Sequence, residues 1–599
     1  MTGRTIAVLP FLNISPDKDL EYFSDGITEE IINALAQIDG LRVISRTSSF
    51  SFKSKDIPLK EIAGTLGVAN VLEGSVRMSG GRVRITAQLI QAADDFHFWS
   101  ETWDRNLNDI FAVQDESSLL IAEKLREQTG HFEIGEHLVR KQTGNLEAYH
   151  RMLRGRYHVH LWNPVDAQRA IDLFHQALEK DPQHVESYVG LAEAYSFMAS
   201  TETLPREETW ALHAKHTCIA HDLNPDHPAV HHQLANLAFF TRGDFREAVR
   251  HNARSLELKA NYPNALHYRA LLHLLGGDPS EAGRCVQRAL DIDPLNPESQ
   301  FYQAYFHYRT HRFEEALNLY EALLQKNPRN IPASIVRNYC LLKLQRPGEA
   351  LSSLEAMPDE IALPDEWLGI RCLAGLPLGN NVESAACLRE LEAKAKDPQA
   401  FQAHSYLYLV YANRGEATKA FEWLEKAMAV NSSVLLISFS DPLAEALRSD
   451  PRYAAYQQRL YGDVLLRTAT PPDKAPPMEQ GEAENSLRRL GRLMREEEAF
   501  LNPTLSLREL AGRVDIHPNQ LSWLLNTHAK CNFNEFVNRH RVEHFKKLAR
   551  NPDLGHLSLV GLAFESGFNS KTVFNTCFKR ETGMTPVSSF NVEHPGSEF

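Results

Sequence analysis

Nowhere in the 599 residues does a run of about 18 apolar side chains occur, so the sequence offers no membrane-spanning segment. The opening MTGRTIAVLPF carries one arginine before a strand-like run, too short and wrongly flanked for a secretory signal. Cysteine is scarce and scattered. Its seven residues (218, 285, 340, 372, 387, 531 and 577) include no CxxC pair, which argues against a disulfide framework or zinc finger and for a reducing compartment. The cytoplasm is the expected location. Neither GxGxxG nor GxxxxGK occurs, so no phosphate cradle and no cofactor is expected. Positive charge is also short overall: 64 Lys and Arg against 77 Asp and Glu give −13. Its distribution is uneven, since residues 486–590 hold 15 basic and 10 acidic residues, which is +5 and leaves −18 elsewhere. A basic module on an acidic body is the pattern expected when one end meets phosphates.

That module carries the clearest patterning. Leu559, Leu562, Ala563 and Ser566 recur at helical spacing, and Gly567 follows where the chain must leave the helix. Ser570 then stands at an N-cap position, and Phe574, Cys577 and Phe578 stripe a second helix. The same grammar appears upstream. Leu507, Leu510, Ala511 and Val514 stripe one helix, Asp515 and Ile516 make a turn, and His517-Pro518 opens a helix whose inward residues are Leu521, Leu524 and Leu525. An amphipathic segment over 533–549 joins the two units. Two helix-turn-helix units so joined could present reading helices to successive major grooves, about 34 Å apart.

The outward positions become candidate DNA contacts: Asn519, Gln520, Ser522, Trp523 and Asn526 in the first unit, and Lys571, Thr572, Asn575, Thr576, Lys579 and Arg580 in the second. Asn and Gln can pair bidentately with adenine and Thr can meet a thymine methyl. Lys571, Lys579 and Arg580 are better placed for phosphate.

The stretches LSLRELAGRVDIHPNQLSWLL, FNEFVNRHRVEHFKKLA and LVGLAFESGFNSKTVFNTCFKRETGMTP make residues 486–590 resemble the DNA-binding domain of AraC/XylS-type bacterial transcription factors. The resemblance implies sequence-specific binding of double-stranded DNA. Cys531 stands where that family usually carries glycine, and Trp523 and Thr576 stand where it often carries a long polar residue. Those departures keep a second reading open, a scaffold whose DNA-binding-like domain lacks specific readout.

Residues 1–130 alternate strand and helix signals, an α/β domain. Ile6–Phe11, Leu41–Ile44 and Val71–Val76 read as strands, Gly80-Gly81 as a turn into the alternating Val83, Ile85, Ala87 and Leu89, and FHFWSETWDR as a further strand. Asp25 is expected to cap a helix whose early acids, Glu29 and Glu30, serve its dipole. IAVLPFLNIS, EYFSDGITEEIINAL and VLEGSVR make this domain resemble TolB-like domains, which lend a fold more than an activity. No enzyme is expected.

From 146 to 432 the chain repeats itself. Ala248, Ala282, Ala316 and Ala350 lie 34 apart, and steps of 35 reach Ala385 and Ala420. This resembles the tetratricopeptide repeat, and implies about seven to nine helical hairpins in an all-α solenoid over 146–462, with a protein or peptide partner in its groove. DPLAEALRSDPRY (441–453) reads as the closing helix, 463–485 as a proline-containing linker and 591–599 as a tail. The reading admits a homodimer. Two histidine patterns invite a metal and are read otherwise. His213, His216 and His221 with Cys218 sit on a repeat helix, and His540–His544, an HxxEH match, sits on the helix joining the two units.

Overall fold

The computed structural model describes residues 3–15, 21–79, 82–106, 110–139, 143–201, 203–358, 363–398, 400–462 and 477–593. The Gly80-Gly81 turn, most of the expected linker and the last six residues of the tail lie outside the described residues.

Alternation shapes the N-terminal domain. β1 (Thr5–Val8) turns Ile6 and Val8 to one face and Ala7 to the other, and all three are fully buried. The chain continues through β2 (Leu12–Asn13), α1 (Glu21–Leu35), β3 (Arg42–Val43), α2 (Arg46–Phe50), α3 (Leu59–Leu66), β4 (Asn70–Ser79), β5 (Arg82–Gln91), β6 (Phe96–Asn106) and α4 (Ile110–Thr129). The sheet runs β3-β1-β4-β5-β6, with β2 also beside β4. β1 is parallel to β3 and β4, whereas β4, β5 and β6 are antiparallel. Ile6 and Val8 share a core with α1 and α4, while Ala7 packs with Ile62 and Leu66 of α3, so helices cover both faces around β1.

Asp25 does not cap a helix. α1 starts at Glu21, so Asp25, Glu29 and Glu30 lie beyond the first turn, out of reach of the dipole. Each acid is partnered instead: Asp25 with Lys53 at 2.7 Å, Glu29 with Arg46 at 2.7 Å and Arg156 at 3.1 Å, and Glu30 with the Tyr149 hydroxyl. Because Tyr149 and Arg156 belong to the repeat array, the acidic cluster is a joint between domains. A second joint lies at Ser48, whose hydroxyl donates to Asp293 at 2.6 Å and accepts from the Leu295 N–H at 2.9 Å.

Eight antiparallel helix pairs follow among the described residues: α5 (Leu146–Val159) and α6 (Pro164–Lys180), α7 (Val185–Ser200) and α8 (Arg206–Leu223), α9 (Pro228–Arg242) and α10 (Phe245–Leu258), α11 (Pro263–Gly276) and α12 (Pro279–Ile292), α13 (Pro297–Arg309) and α14 (Phe313–Lys326), α15 (Ile331–Lys343) and α16 (Pro347–Glu355), α17 (Pro364–Gly375) and α18 (Asn381–Lys394), α19 (Phe401–Asn413) and α20 (Ala417–Ala429). This is a tetratricopeptide-like solenoid. Ala248, Ala282, Ala316, Ala350 and Ala420 have no exposed surface, since only a small side chain permits so close a helix approach. Ala385 breaks the series, because Ser384 takes the buried place, meeting Cys372 and the backbone at Gly375.

The first helices of successive pairs touch and line an inner surface. Residues 436–449 lie on it, through α21 (Ser433–Phe439) and a 3-10 turn over Pro442–Ser449, and α22 (Arg452–Tyr461) follows against the second helices α10 and α20. Tyr308 of α13 donates to Asp441 at 2.6 Å, Lys343 of α15 donates to the Pro442 carbonyl at 3.1 Å, and Asn413 of α19 donates to the Leu443 carbonyl at 2.8 Å. Tyr461 stacks edge-on against Phe245 of α10. The expected closing helix therefore does more than cover the last hairpin; it bridges hairpins far apart in sequence.

The C-terminal helices are α23 (Gln480–Arg495), α24 (Leu507–Val514), α25 (Pro518–Leu524), a π turn over Leu525–Ala529, α26 (Phe533–Ala549), α27 (Leu559–Glu565), α28 (Lys571–Thr582) and α29 (Pro586–Glu593). α23 begins within the expected linker, and Ala483 and Leu490 bury it against α24. Among the described residues, no helix is long and apolar enough to cross a membrane.

Candidate nucleic-acid interface

Each helix-turn-helix unit is fixed by its own caps and core. In the first, the Ser506 hydroxyl accepts from Glu509 N–H at 3.1 Å, and α24 ends at Asp515, which takes a left-handed φ of 62°. His517 and Gln520 form a reciprocal cap at the start of α25: Nδ1 of His517 accepts from Asn519 N–H at 3.1 Å, and Gln520 Oε1 accepts from His517 N–H at 2.9 Å. Leu521, Leu524 and Leu525 are fully buried, as their spacing requires. The π turn then brings Lys530 to a φ of 53°, so the left-handed exit falls one residue before Cys531, which is buried.

In the second unit Ser570 caps α28, and Phe574, Cys577 and Phe578 pack with Phe545, Phe568 and Phe590. Gly567 joins α27 to α28 at a φ of 88°, and a Cβ there would stand 2.5 Å from the Phe500 carbonyl oxygen. That carbonyl accepts from Nε of Arg541 at 2.8 Å, while another guanidinium N–H reaches the Asn502 carbonyl at 2.7 Å. Burial pulls the Arg541 guanidinium down to about 10. Arg541, on the joining helix α26, thereby holds the Ala499–Leu501 turn against Gly567 and locks the two units together.

The two candidate reading helices then part company. On α28, Lys571, Thr572, Asn575, Thr576, Lys579 and Arg580 are all exposed, opposite the buried phenylalanines. Arg580 approaches Glu535 at 3.6 Å. On α25, none of the candidates is open in the same way. Ser522 is buried at 2% exposure, a small side chain at the border of the leucine stripe. Trp523 is half-buried against the core and edge-on to His528. Gln520 serves the cap and donates to the Pro477 carbonyl at 3.1 Å, and Asn526 donates to the Ser522 carbonyl at 3.1 Å. Asn519 is bonded to the N-terminal domain: it accepts from Ile134 N–H at 3.3 Å and from the Arg126 guanidinium, and donates to the Ile134 carbonyl at 3.2 Å.

The HxxEH residues are spent structurally. His540 Nδ1 meets the Phe536 carbonyl at 2.9 Å, His544 meets the Ser566 hydroxyl at 3.2 Å, and Glu543 pairs with Lys546 at 2.7 Å. His213 faces Gln233 at 3.1 Å, and burial depresses it to about 4; His216 stacks on Tyr195. Among the described residues no three metal-ligating side chains gather at one place. Sequence periodicity picked out neither Arg541 nor Arg126, since a buried arginine has no pattern of its own.

Comparison with known proteins assigns classes to three segments. Residues 510–589 match a helix-turn-helix domain family, residues 2–118 match the second domain of HilA/YgeH-like transcriptional regulators, and residues 284–357 match anaphase-promoting complex, cyclosome, subunit 3. A helix-turn-helix domain and a regulator domain in one chain are those of a transcriptional regulator. Among individual proteins, the chain is 38% identical over 240 residues to "Putative adenylate cyclase 3" of Rhizobium meliloti (strain 1021), a match that spans 39% of each chain. Solved structures with similar folds include a tetratricopeptide repeat protein from Parabacteroides merdae (14% identity, 42% of this chain and 93% of that one, TM-score 0.28). Another is the APC/C hetero-tetramer Cut9-Hcn1 (13% identity, 70% and 82%, TM-score 0.32).

Proposed function

We propose that the chain is an AraC-type transcriptional regulator that binds double-stranded DNA sequence-specifically, with α28 as its principal reading helix. The observation that carries the reading is the exposed polar row Lys571, Thr572, Asn575, Thr576 and Lys579, held outward by three buried aromatic and thiol side chains behind it. Asn575 and Thr576 would read base edges and the lysines would hold phosphate. The repeat array supplies the input by taking a protein or peptide partner, and the regulator acts in the cytoplasm. The N-terminal domain, TolB-like by its sequence stretches, serves as a regulatory body. The reading assigns the chain no enzymatic activity, and cyclase chemistry stays with the relative named for it.

A second reading, a scaffold without specific readout, draws on α25, where Trp523 packs inward and Ser522 is buried. A binding selection of the full chain against random duplex DNA at near-physiological salt separates the two. Recovery of a defined site supports the regulator. Salt-sensitive, sequence-blind binding overturns it in favour of the scaffold.

A further inference from the structure

The end of α4 and the segment after it lie across the first helix-turn-helix unit. Leu507 N–H, at the first turn of α24, donates to the Glu127 carboxylate at 2.9 Å. Arg508 Nε donates to Glu123 at 3.0 Å. At the start of α26, Asn532 Nδ2 donates to the Gln128 carbonyl at 2.9 Å and Asn534 to its side-chain oxygen at 3.1 Å. Between these, Asn519 of α25 is held by Arg126 and by both backbone groups of Ile134. Gly130 approaches so closely that a Cβ would stand 2.7 Å from Asn526 Oδ1. Both helices of the unit and the joining helix α26 are engaged at their N-terminal ends.

Those ends are where a helix offers backbone N–H groups and positive potential to phosphate. Here the carboxylate of Glu127 occupies that place on α24. Both polar atoms of the Asn519 carboxamide are committed, and a duplex approaching α25 would meet the carboxylates of Glu123 and Glu127. The joint is also polar. The apolar core containing Phe132 and Ile134 and the one containing Leu510 and Leu521 are separate clusters. A contact made of hydrogen bonds and one ion pair parts at far smaller cost than a shared core.

We propose that the N-terminal domain masks the first reading helix, with α4 and residues 130–134 competing with DNA for α25. The closed chain reaches DNA through α28 alone, and both units engage only when the mask lifts. This rests on the DNA-binding reading above.

The test uses the full chain and the R126A/Q128A variant, whose substitutions lie on the N-terminal domain and not on the reading helices. Affinity for the selected duplex is measured by anisotropy, and hydrogen exchange of the Ile134 amide, which donates to Asn519 in the closed chain, is followed in the wild type with and without saturating duplex. Masking predicts at least tenfold tighter binding by the variant and faster Ile134 exchange on adding DNA, because competition is reciprocal. Equal affinities, or Ile134 protection unchanged in the DNA-bound wild type, would overturn the mask while leaving DNA binding intact. Failure of both proteins to bind any duplex would instead overturn the DNA reading, and the mask with it.

Discussion

Arg541 donates to the Phe500 carbonyl at 2.8 Å across 41 residues, and that one contact welds the joining helix to the turn on which Gly567 rests. Arg541→Ala removes two bonds: the Phe500 carbonyl loses the guanidinium donor, and the Asn502 carbonyl keeps only the Leu505 N–H at 3.2 Å. Each lost bond to a charged group is worth about 1.5–3 kcal/mol, so the C-terminal transition in urea should fall by about 3 kcal/mol or more. Arg541→Lys, with a single ammonium in place of a fork, should recover only part of it.

Gly567→Ala tests the other side of the same contact. A φ of 88° is strained for any side chain, and the added methyl meets the carbonyl oxygen at 2.5 Å, with the Leu501 backbone also close by. The left-handed cost alone is about 1–2 kcal/mol, and the overlap adds to it. Thermal unfolding of the full chain should show the C-terminal transition lowered, with the repeat array unchanged.

The boundaries of α25, α27 and α28 were legible because their causes are local: leucine and phenylalanine spacing, His517-Pro518 at a helix start, the Ser570 cap and a glycine at 567. What escaped depends on partners far along the chain. Glu29 and Glu30 look like acids of a helix start until Arg156 and Tyr149, more than a hundred residues on, are placed beside them. Ser522 and Asn519 look outward on a helical wheel, yet one lies at the edge of the core and the other under residues 126–134. Ala385 continues the alanine series in the sequence, but the helix crossing takes its neighbour Ser384.

Glu30 makes the joint between the N-terminal domain and the array sensitive to pH. Burial raises its carboxyl to about 7 against an ordinary value near 4.5. The folded state therefore holds a proton that the unfolded state releases, so its contribution is present below about pH 4.5 and is lost as pH rises through about 7. Glu30→Gln keeps an acceptor for Tyr149 but cannot ionise. The midpoint of thermal unfolding should fall between about pH 4.5 and 7 in the wild type, and less steeply in the variant; identical slopes would remove Glu30 from the account.

On α28, base reading and phosphate holding should separate. Lys571→Ala and Lys579→Ala should each weaken all duplexes alike and lower the salt slope by about 1. Asn575→Ala with Thr576→Ala should leave that slope unchanged and relax preference at one or two positions, by about 1–3 kcal/mol for each pair lost. A selection repeated with each variant reads both effects.

The segment over residues 436–461 sets an order on how the molecule comes into being. Tyr308 waits for Asp441, 133 residues later, and Asn413 waits for the Leu443 carbonyl. While the chain is being synthesised, hairpins already formed present their inner wall to water until that late stretch leaves the ribosome. Truncation before residue 436 would therefore remove more than an end. It would expose the lining that these residues cover, and nascent chains stalled there would become natural clients for chaperones.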